Sequence, residues 1–335
     1  MSRIERHWYA PSPWMSILLA PLESLFAVVG GLRRAAFRRG WLKSSHPGVP
    51  VVIIGNINVG GVGKTPLTLS LIESLRRMGI RAGVVSRGYG GAHREPTEVT
   101  AQTPASLVGD EPLLLAASQA PVVVGRDRVA AARWLLARHP DIDVILSDDG
   151  LQHYRLRRDL EIVVMDGRRG TGNGRLLPNG PLREPLSRLA TVDALVINGP
   201  SEGLSGLPDC AERFAMRLAA GECYLAADPS ICRGAASFAG QKVVALAGIG
   251  HPERFFATAR EQGFVLARTI AFPDHHPFGP GDIPDDADAV LVTAKDAVKL
   301  RHLNHARLWV LPVRAVIEPD LAAWITTRLR LRHGR

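Results

Sequence analysis

The stretch VVIIGNINVGGVGKTP, residues 51–66, decides the fold, because an apolar β-branched run leads into a glycine-rich loop ending in Gly63, Lys64 and Thr65. It predicts a buried strand, a phosphate-binding loop and the first turn of a helix. Glycines let backbone N–H groups turn onto phosphate oxygens, and the helix N-terminus adds its positive dipole. The strict pattern GxxxxGK[ST] would need glycine where Asn58 stands. We expect nucleotide binding by Asn58, Val59, Gly60, Gly61, Val62, Gly63, Lys64 and Thr65.

Strand-like and helix-like segments alternate after this loop, with apolar runs such as RAGVVSRG, PVVVG, DVILSDD, EIVVMD and DALVIN. Near-continuous apolar strands separated by helices are typical of a parallel sheet covered on both faces. Residues 46–200 are therefore predicted to form a doubly wound, mostly parallel α/β core. After the turn-rich stretch PSEGLSGLP, further strands and helices predict a smaller C-terminal α/β domain over residues 201–335.

Two acidic residues follow the apolar strand in DVILSDDG, namely Asp148 and Asp149. A phosphate-loop enzyme needs an acid at the end of such a strand to hold a metal ion near the nucleotide. A turn cap would explain one acid of the pair but explains both poorly. We expect Mg²⁺ to be held by Thr65 and by one of Asp148 and Asp149.

Four other polar loops are open to more than one interpretation. In GDEP, Asp110 precedes a helix and on its own fits a helix cap. In FPDHHPF, Asp274 could orient His275 for proton abstraction from a hydroxyl, or the loop could be a structural turn. The loops RGYGG and PNGPLREP are unspecific alone, and they carry Tyr89, Arg183 and Glu184.

The segment WMSILLAPLESLFAVVGGL, residues 14–32, is mostly apolar and is followed at once by several arginines. Pro21 and Glu23 argue against a membrane-spanning helix, although the length would suffice. The alternatives are a helix packed on the protein's own core and a helix lying among the headgroups of an anionic leaflet. The basic cluster favours the second, so residues 1–45 are predicted to form an amphipathic membrane-associated segment.

The formal net charge of +9 indicates an anionic partner, without choosing between nucleic acid, a phosphorylated substrate and a membrane. The basic residues cluster near residues 33–43 and at the C-terminus without interleaved aromatic residues, so no nucleic-acid partner is expected. A switch GTPase or ATPase of metal insertion or partitioning would need a lysine at Val59 or a guanine motif. TAKDAVK has the guanine-motif letters in the wrong spacing, which favours ATP.

Eight motifs taken in order resemble the tetraacyldisaccharide 4′-kinase family of lipid A biosynthesis: GNINVGGVGKTP, VVSRGYGG, GDEP, SDDGLQH, LLPNGPLREP, GIGHPERFF, FPDHH and TAKDAVKL. The resemblance spans nearly the whole chain. It implies a P-loop kinase core with a smaller C-terminal domain, and transfer of the ATP γ-phosphate to the 4′-hydroxyl of tetraacyldisaccharide 1-phosphate, forming lipid IVA. It also implies a peripheral position on the cytoplasmic face of the bacterial inner membrane.

The same resemblance implies roles for individual residues. Lys64 would act on the phosphates and Thr65 on Mg²⁺, with Asp148 and Asp149 as the acids at the metal. The residues matched to activation of the acceptor hydroxyl are Asp110, Asp274 and His275. Tyr89 is matched to a substrate-side position, and Arg183 and Glu184 are matched to a loop on the substrate or nucleotide side that would bind substrate.

Overall fold

The computed structural model describes residues 3–201, 204, 206–208, 212–303 and 305–331. Its helices are α1 (Arg3–Tyr9), α2 (Pro13–Arg38), α3 (Lys64–Arg77), α4 (Ala105–Val108), α5 (Asp110–Ala116), α6 (Arg128–Arg138), α7 (Pro252–Glu261), α8 (Ala294–Leu300) and α9 (Leu321–Leu329). Its strands are β1 (Val51–Gly55), β2 (Ala82–Ser86), β3 (Thr97–Glu98), β4 (Val122–Val124), β5 (Val144–Asp148), β6 (Leu160–Asp166), β7 (Ala194–Asn198), β8 (Glu212–Ala220), β9 (Cys223–Leu225), β10 (Cys232–Arg233), β11 (Val243–Ala247), β12 (Leu266–Ala271), β13 (Ala289–Thr293), β14 (Leu308–Leu311) and β15 (Val313–Glu318).

The first sheet has the strand order β15-β8-β7-β6-β1-β5-β2-β4-β3, so β1 lies between β6 and β5. The strands from β8 to β4 run parallel, and β15 and β3 close the two edges antiparallel. All five residues of β1 are buried; Val52 and Ile54 join the apolar cluster on one face, and Val51 and Ile53 join the cluster on the other. The doubly wound α/β fold predicted from the sequence is confirmed.

The second sheet has the order β10-β9-β14-β13-β11-β12. Its strands β14, β13, β11 and β12 are parallel, and β9 and β10 are added antiparallel. Apolar clusters again cover both faces, one of them built around Phe256 and Trp309 and the other around Phe278 and Leu300. This is the smaller C-terminal α/β unit that the sequence predicts.

The chain returns to the first sheet after completing the second, so the two sheets do not divide at residue 200. Strand β8 pairs with β7, and β15 pairs antiparallel with β8. Helix α9 follows, and its Leu321 and Ile325 share one apolar cluster with Leu67 and Leu71 of α3. The second sheet is thus inserted between two neighbouring strands of the first.

Helix α1 is docked on the body of the protein through two buried side chains. The His7 ring Nε2 lies 3.0 Å from Asn179 Oδ1, and Trp8 Nε1 donates to the Pro178 carbonyl at 2.9 Å. Asn173 N donates in turn to the Trp8 carbonyl at 2.8 Å. The first residues of the predicted membrane segment are therefore part of the folded core.

Helix α2 touches the body through polar groups. Glu23 accepts hydrogen bonds from Asn179 Nδ2 at 2.7 Å and from Leu176 N at 3.0 Å, and it pairs with Arg175 at 3.2 Å. A carboxylate held in this way keeps the middle of the helix at the protein surface. Pro21 lies inside the helix without ending it.

The apolar face of α2 is exposed, and the helix has no buried residue. By length and composition it is the one helix in the described part of the chain that could cross a membrane. The helix does not pack into the protein's own core, so that alternative is wrong. An exposed apolar helix fits membrane association. Its exposed large side chains are Trp14, Ile17, Leu18, Leu22, Leu25, Phe26, Val28, Val29 and Leu32.

Candidate active site

The glycine-rich loop joins β1 to α3, and two positions in it require glycine. Gly63 and Gly60 have φ of +98° and +104°, a region that residues with a Cβ rarely adopt. A Cβ on Gly63 would also lie 2.8 Å from Asn198 Nδ2 and 2.9 Å from Met216 Cε. Asn198 Nδ2 donates to the Val62 carbonyl at 3.0 Å, which fixes the loop against the end of β7.

The first residues of the loop are hydrogen-bonded to other groups of the protein. Asn56 Nδ2 donates to the Asn58 carbonyl at 2.6 Å, and Val59 N donates to the Pro181 carbonyl at 2.8 Å. A backbone N–H that already has a protein partner is not free for a phosphate oxygen. The phosphate-facing stretch that we propose therefore runs from Gly60 to Thr65.

Lys64 is the first residue of α3, and its ammonium group is fixed at the loop. Nζ donates to Asn56 Oδ1 at 3.1 Å and lies 3.3 Å from Asp149 Oδ1. The half-buried Thr65 follows in the first turn. The helix N-terminus, the loop amides and Lys64 together give this pocket a positive potential suited to phosphate.

Both acids at the end of β5 lie beside this loop, because β5 is the parallel neighbour of β1. Asp148 is fully buried and accepts a hydrogen bond from Thr68 Oγ1 at 3.3 Å. Asp149 follows in the left-handed region at φ 48° and turns its carboxylate to Lys64. The structure thus brings together Lys64, Thr65, Asp148 and Asp149 as the sequence predicts.

The two carboxyl groups have different acidities. Burial, together with the negative charge of Glu111, raises the pKa of Asp148 to about 7. Burial acts in the same direction on Asp149, but the charges of Lys64 and Arg183 outweigh it and lower its pKa. One carboxyl is thus poorly compensated and the other is firmly ionised, an arrangement common in functional sites.

Arginines approach these acids from two sides. Arg183 Nη1 lies 3.4 Å from both carboxylate oxygens of Asp149. Arg128, only 2% exposed, donates to the backbone carbonyls of Asp148 and Asp149 at 3.4 and 3.2 Å. Burial lowers the pKa of Arg128 to about 10, so it remains charged at neutral pH. Arg183 therefore lies beside Asp149, and its contact with a substrate or nucleotide stays a prediction.

A carboxylate–histidine pair forms between the two sheets. His275 Nδ1 lies 3.0 Å from Asp110 Oδ2, whereas His275 Nε2 is 3.9 Å from Asp274 Oδ2. Asp110 is 8% exposed at the start of α5, while the His275 side chain is 39% exposed. The partner aligned with the imidazole is therefore Asp110, which belongs to the first sheet's side of the cleft.

Two lysines of α8 neutralise the carboxylates around this pair. Lys299 Nζ lies 3.7 Å from Asp110 Oδ2, and Lys295 Nζ lies 3.0 Å from Asp274 Oδ1 and 3.9 Å from Glu111 Oε1. Glu111 in turn acts electrostatically on Asp148. The acids at the phosphate loop and the histidine pair therefore belong to one connected site.

Tyr89 flanks the histidine, with the two ring centroids 5.9 Å apart. Its side chain is 71% exposed. The loop carrying it contacts Gly109, whose φ of +86° and lack of a Cβ let it pass against the Tyr89 carbonyl. An exposed aromatic ring beside the imidazole is available to an acceptor molecule.

Glu184 is placed differently from Tyr89 and Arg183, because only 2% of it is exposed. Its carboxylate accepts hydrogen bonds from Gln152 Nε2 at 3.0 Å and from Tyr154 Oη at 2.7 Å. Arg188 Nε lies 3.4 Å away and Arg34 of α2 lies 3.9 Å away. Direct contact with a substrate would require this network to open, so Glu184 supports the loop that follows Asp148 and Asp149.

The donors at the loop fit a magnesium ion. Mg²⁺ prefers oxygen ligands and is usually held by one or two carboxylates together with the phosphates of a substrate. Asp148 has a buried oxygen without a hydrogen-bond partner, and Thr65 and Asp149 supply further oxygens. Among the described residues there is no group of three His, Cys, Asp or Glu that could hold a metal by itself.

Sequence reasoning missed three parts of this region. Arg128 had only the preceding Asp127 helix cap as a local signal, and neither the docked helix α1 nor Arg169, which lies against the loop at Gly60, had any. Their contacts join segments far apart in the chain, such as Trp8 with Pro178.

A phosphate loop between a central strand and a helix, two acids on the neighbouring strand and a carboxylate–histidine pair define a P-loop kinase. The matching family model, described as tetraacyldisaccharide-1-P 4′-kinase (LpxK), covers residues 15–330. The chain belongs to the tetraacyldisaccharide-1-P 4′-kinase family. It is accordingly an enzyme of the kinase class, as the motifs predict.

Relatives match over essentially the full length of the chain. A tetraacyldisaccharide 4′-kinase of Chromobacterium violaceum is 64% identical and is covered completely, as is this chain. That of Neisseria meningitidis serogroup B is 46% identical over 97% of this chain and 95% of its own. The solved structure of LpxK from Aquifex aeolicus in complex with ATP superposes with a TM-score of 0.80 at 26% identity, covering 94% of this chain and 99% of that one.

Proposed function

We propose that this kinase transfers the γ-phosphate of ATP to the 4′-hydroxyl of tetraacyldisaccharide 1-phosphate, the reaction that makes lipid IVA in lipid A biosynthesis. The observation that carries the proposal is the connected set of groups from Lys64 through Asp149 and Asp148 to Asp110 and His275. A glycine-rich loop with a lysine on one side of a cleft and a carboxylate–histidine pair on the other support transfer of a phosphoryl group to a hydroxyl. The names of full-length relatives supply the donor and acceptor.

Charge neutralisation supplies most of the rate in phosphoryl transfer. The amides from Gly60 to Thr65 and the Lys64 ammonium would bind the phosphate oxygens of ATP. Thr65, Asp148 and Asp149 would hold Mg²⁺, which when bound neutralises charge on the phosphates. Burying the ionised Asp148 carboxylate is unfavourable, and the charges of Lys64 and Arg128 offset that cost only in part. A bound cation would offset the rest.

The acceptor hydroxyl must lose its proton as its oxygen bonds to the γ-phosphorus. In our proposal, His275 and Asp110 take that proton while the bond from phosphorus to the ADP oxygen breaks. A carboxylate 3.0 Å from Nδ1 orients the ring for proton abstraction. Asp274 supports the loop through Lys295, and Tyr89 and Arg183 would contact the sugar or phosphate groups of the acceptor.

A lipid acceptor remains in its membrane, so the enzyme must reach it there. We infer that α2 lies on the cytoplasmic face of the inner membrane, with its exposed apolar side chains among the lipid headgroups. Arg33, Arg34, Arg38, Arg39 and Lys43 follow the apolar face and would attract anionic lipids. In this proposal, nucleic acid is not a partner.

The test is transfer of labelled γ-phosphate from ATP to tetraacyldisaccharide 1-phosphate in detergent micelles, with Mg²⁺ and with excess chelator. We expect a labelled bisphosphorylated lipid only when Mg²⁺ is present. ATP hydrolysis without any labelled lipid would contradict the proposal and favour a switch ATPase.

A further inference from the structure

A cleft of about 320 Å³ lies on the side of the phosphate loop away from Asp148, and nothing in the proposed mechanism uses it. It is bounded by the end of α1, the turn after β6 and the start of α7. The strands β6 and β5 flank β1 on opposite sides, so this cleft and the metal acids approach the loop from opposite directions. Its lining is Tyr9, Arg169, His251, Pro252, Glu253 and Arg254.

Arg169 lies directly against the phosphate loop. A Cβ on Gly60 would be 3.0 Å from Arg169 Nη1, so the guanidinium group occupies the space that the missing side chain leaves. The turn that carries it is fixed by Asp166, whose Oδ1 accepts from Arg168 N at 3.0 Å and Arg169 N at 3.2 Å. The position of Arg169 is therefore built into the end of β6.

The charge of Arg169 is not compensated by a carboxylate. Across the described residues, no Asp or Glu oxygen lies within 4.0 Å of its guanidinium nitrogens, and Asp166 is instead paired with Arg254 at 2.8 Å. Nη1 lies 2.8 Å from His251 Nε2, and a guanidinium group can only donate. Nε2 of His251 therefore carries no proton and accepts this hydrogen bond. Burial and the neighbouring arginines lower the pKa of His251, which favours the same neutral ring.

Two neutral groups hold the guanidinium in place. Nη2 donates to the Tyr9 hydroxyl, and the guanidinium carbon lies 4.8 Å from the centre of the Tyr9 ring. Tyr9 is itself fixed because the neighbouring His7 and Trp8 are buried in the body. Arg169 is thus an oriented, uncompensated cation beside backbone amides that bind phosphate.

We propose that Arg169 binds the phosphate chain of the nucleotide beside Gly60, and that Tyr9 and His251 are positioning residues for it. The inference rests on the proposed function in that it takes ATP as the ligand of the loop. The nucleotide is favoured over the lipid phosphate because Gly60 belongs to the phosphate loop, whereas the acceptor hydroxyl would lie at His275. Helix α1 would then complete the nucleotide site through Tyr9.

The experiment is calorimetric titration of the full-length protein in detergent with ATP, ADP and adenosine. Arg169→Ala is expected to weaken ATP and ADP binding by roughly tenfold or more, since a charge-assisted hydrogen bond is lost, and to leave adenosine binding unchanged. Arg168→Ala is the matched control, because Arg168 is the exposed neighbour and the change in net charge is the same. Arg169→Gln should repeat the loss, and it replaces the alanine variant if that variant does not fold.

Equal ATP affinities of the Arg169 variants and Arg168→Ala would overturn the proposal. An unchanged ATP affinity with a raised KM for the lipid would also overturn it, and would assign the cleft to the acceptor phosphate. Tyr9→Phe should weaken ATP binding in the wild-type background and have no further effect in Arg169→Ala. Additive effects of the two substitutions would contradict the positioning role.

Failure of the Arg169 proposal can be distinguished from failure of the proposed reaction. If the wild-type protein binds ATP but does not phosphorylate the lipid, the proposed acceptor is wrong, while the titrations still test Arg169. If the wild type phosphorylates the lipid and Arg169→Ala binds ATP normally, only the inference about Arg169 is wrong.

Discussion

His275 Nδ1 lies 3.0 Å from Asp110 Oδ2, although 165 residues separate them and each belongs to a different sheet's side of the cleft. The neighbouring Asp274 is farther from the ring, at 3.9 Å from Nε2, and pairs with Lys295. The carboxylate–histidine pair that we propose as the base therefore forms only when the elements carrying Asp110 and His275 lie against each other. This relationship leads to the first prediction.

Asp110→Asn should lower kcat by roughly 100-fold or more, because the imidazole loses the carboxylate that orients it. Its ATP affinity should change by less than about twofold, since the side chain of Asp110 contacts His275 and Lys299. Asp274→Asn is the matched control, and it should lower kcat by a smaller factor. Steady-state kinetics in mixed micelles will measure kcat, and calorimetric titration will measure ATP affinity. A larger loss of kcat in Asp274→Asn than in Asp110→Asn would make Asp274 the partner of His275.

Lys64→Ala should lower kcat by about 100-fold or more, because the transferred phosphate loses its cationic partner. Lys242→Ala is a matched control, since that lysine is exposed and pairs with Asp286 on the second sheet. Near-normal turnover of the Lys64 variant would rule out the phosphate loop as the catalytic site.

Asp148→Asn should abolish transfer and yet stabilise the protein without metal at pH 8. The pKa of the buried Asp148 is raised to about 7, so the carboxylate is ionised at that pH at a cost to the folded state. Removing the charge should raise the free energy of unfolding by on the order of 1–3 kcal/mol. Chemical denaturation with chelator present measures this, and a destabilised variant would contradict it.

His153 should lower the free energy of unfolding as the pH falls from 7 into mild acid. Burial and the nearby Arg128 lower its pKa from 6.5 to about 4, so the ring is neutral in the folded state and protonated on unfolding below about pH 6.5. Stability from this group is therefore present above pH 6.5 and is lost progressively as the pH falls towards 4. With partial exposure, the loss should be about 1–2 kcal/mol. His153→Gln should show a smaller drop between pH 7 and pH 5 in urea denaturation; an identical drop would contradict the assignment.

The double variant Leu18→Glu and Leu25→Glu should no longer sediment with anionic vesicles, because two charges replace exposed apolar contacts of α2. Val265→Glu is the control, since Val265 is 84% exposed next to the edge strand of the second sheet and far in sequence from α2. Both proteins should keep the wild-type melting temperature. Continued sedimentation of the double variant would place the membrane contact elsewhere.

The parts of the site that could be predicted from the sequence are those formed by contiguous residues. The loop at Gly63 and Lys64 follows strand β1 directly, and Asp148 is the last residue of β5, which pairs with β1. Strand and helix periodicity then places all of these at one edge of a parallel sheet. The fold class follows from the same pattern.

The remaining features depend on contacts between distant segments. Asp110 meets His275 because the second sheet is inserted between β8 and β15, and nothing in the local pattern shows that the chain returns to the first sheet. Glu184 looks like a surface residue in a turn-rich loop, but Gln152 and Tyr154 enclose it. The docking of Trp8 on Pro178 is equally non-local.

The central claim is phosphate transfer to the 4′-hydroxyl of the lipid, and the most direct measurement is phosphorus NMR of the product formed by the wild-type enzyme from ATP. We predict one new phosphomonoester whose phosphorus couples to the proton at C4′, together with the unchanged 1-phosphate. A new signal coupled to any other sugar proton, a 1-diphosphate, or ADP without lipid product would contradict the account.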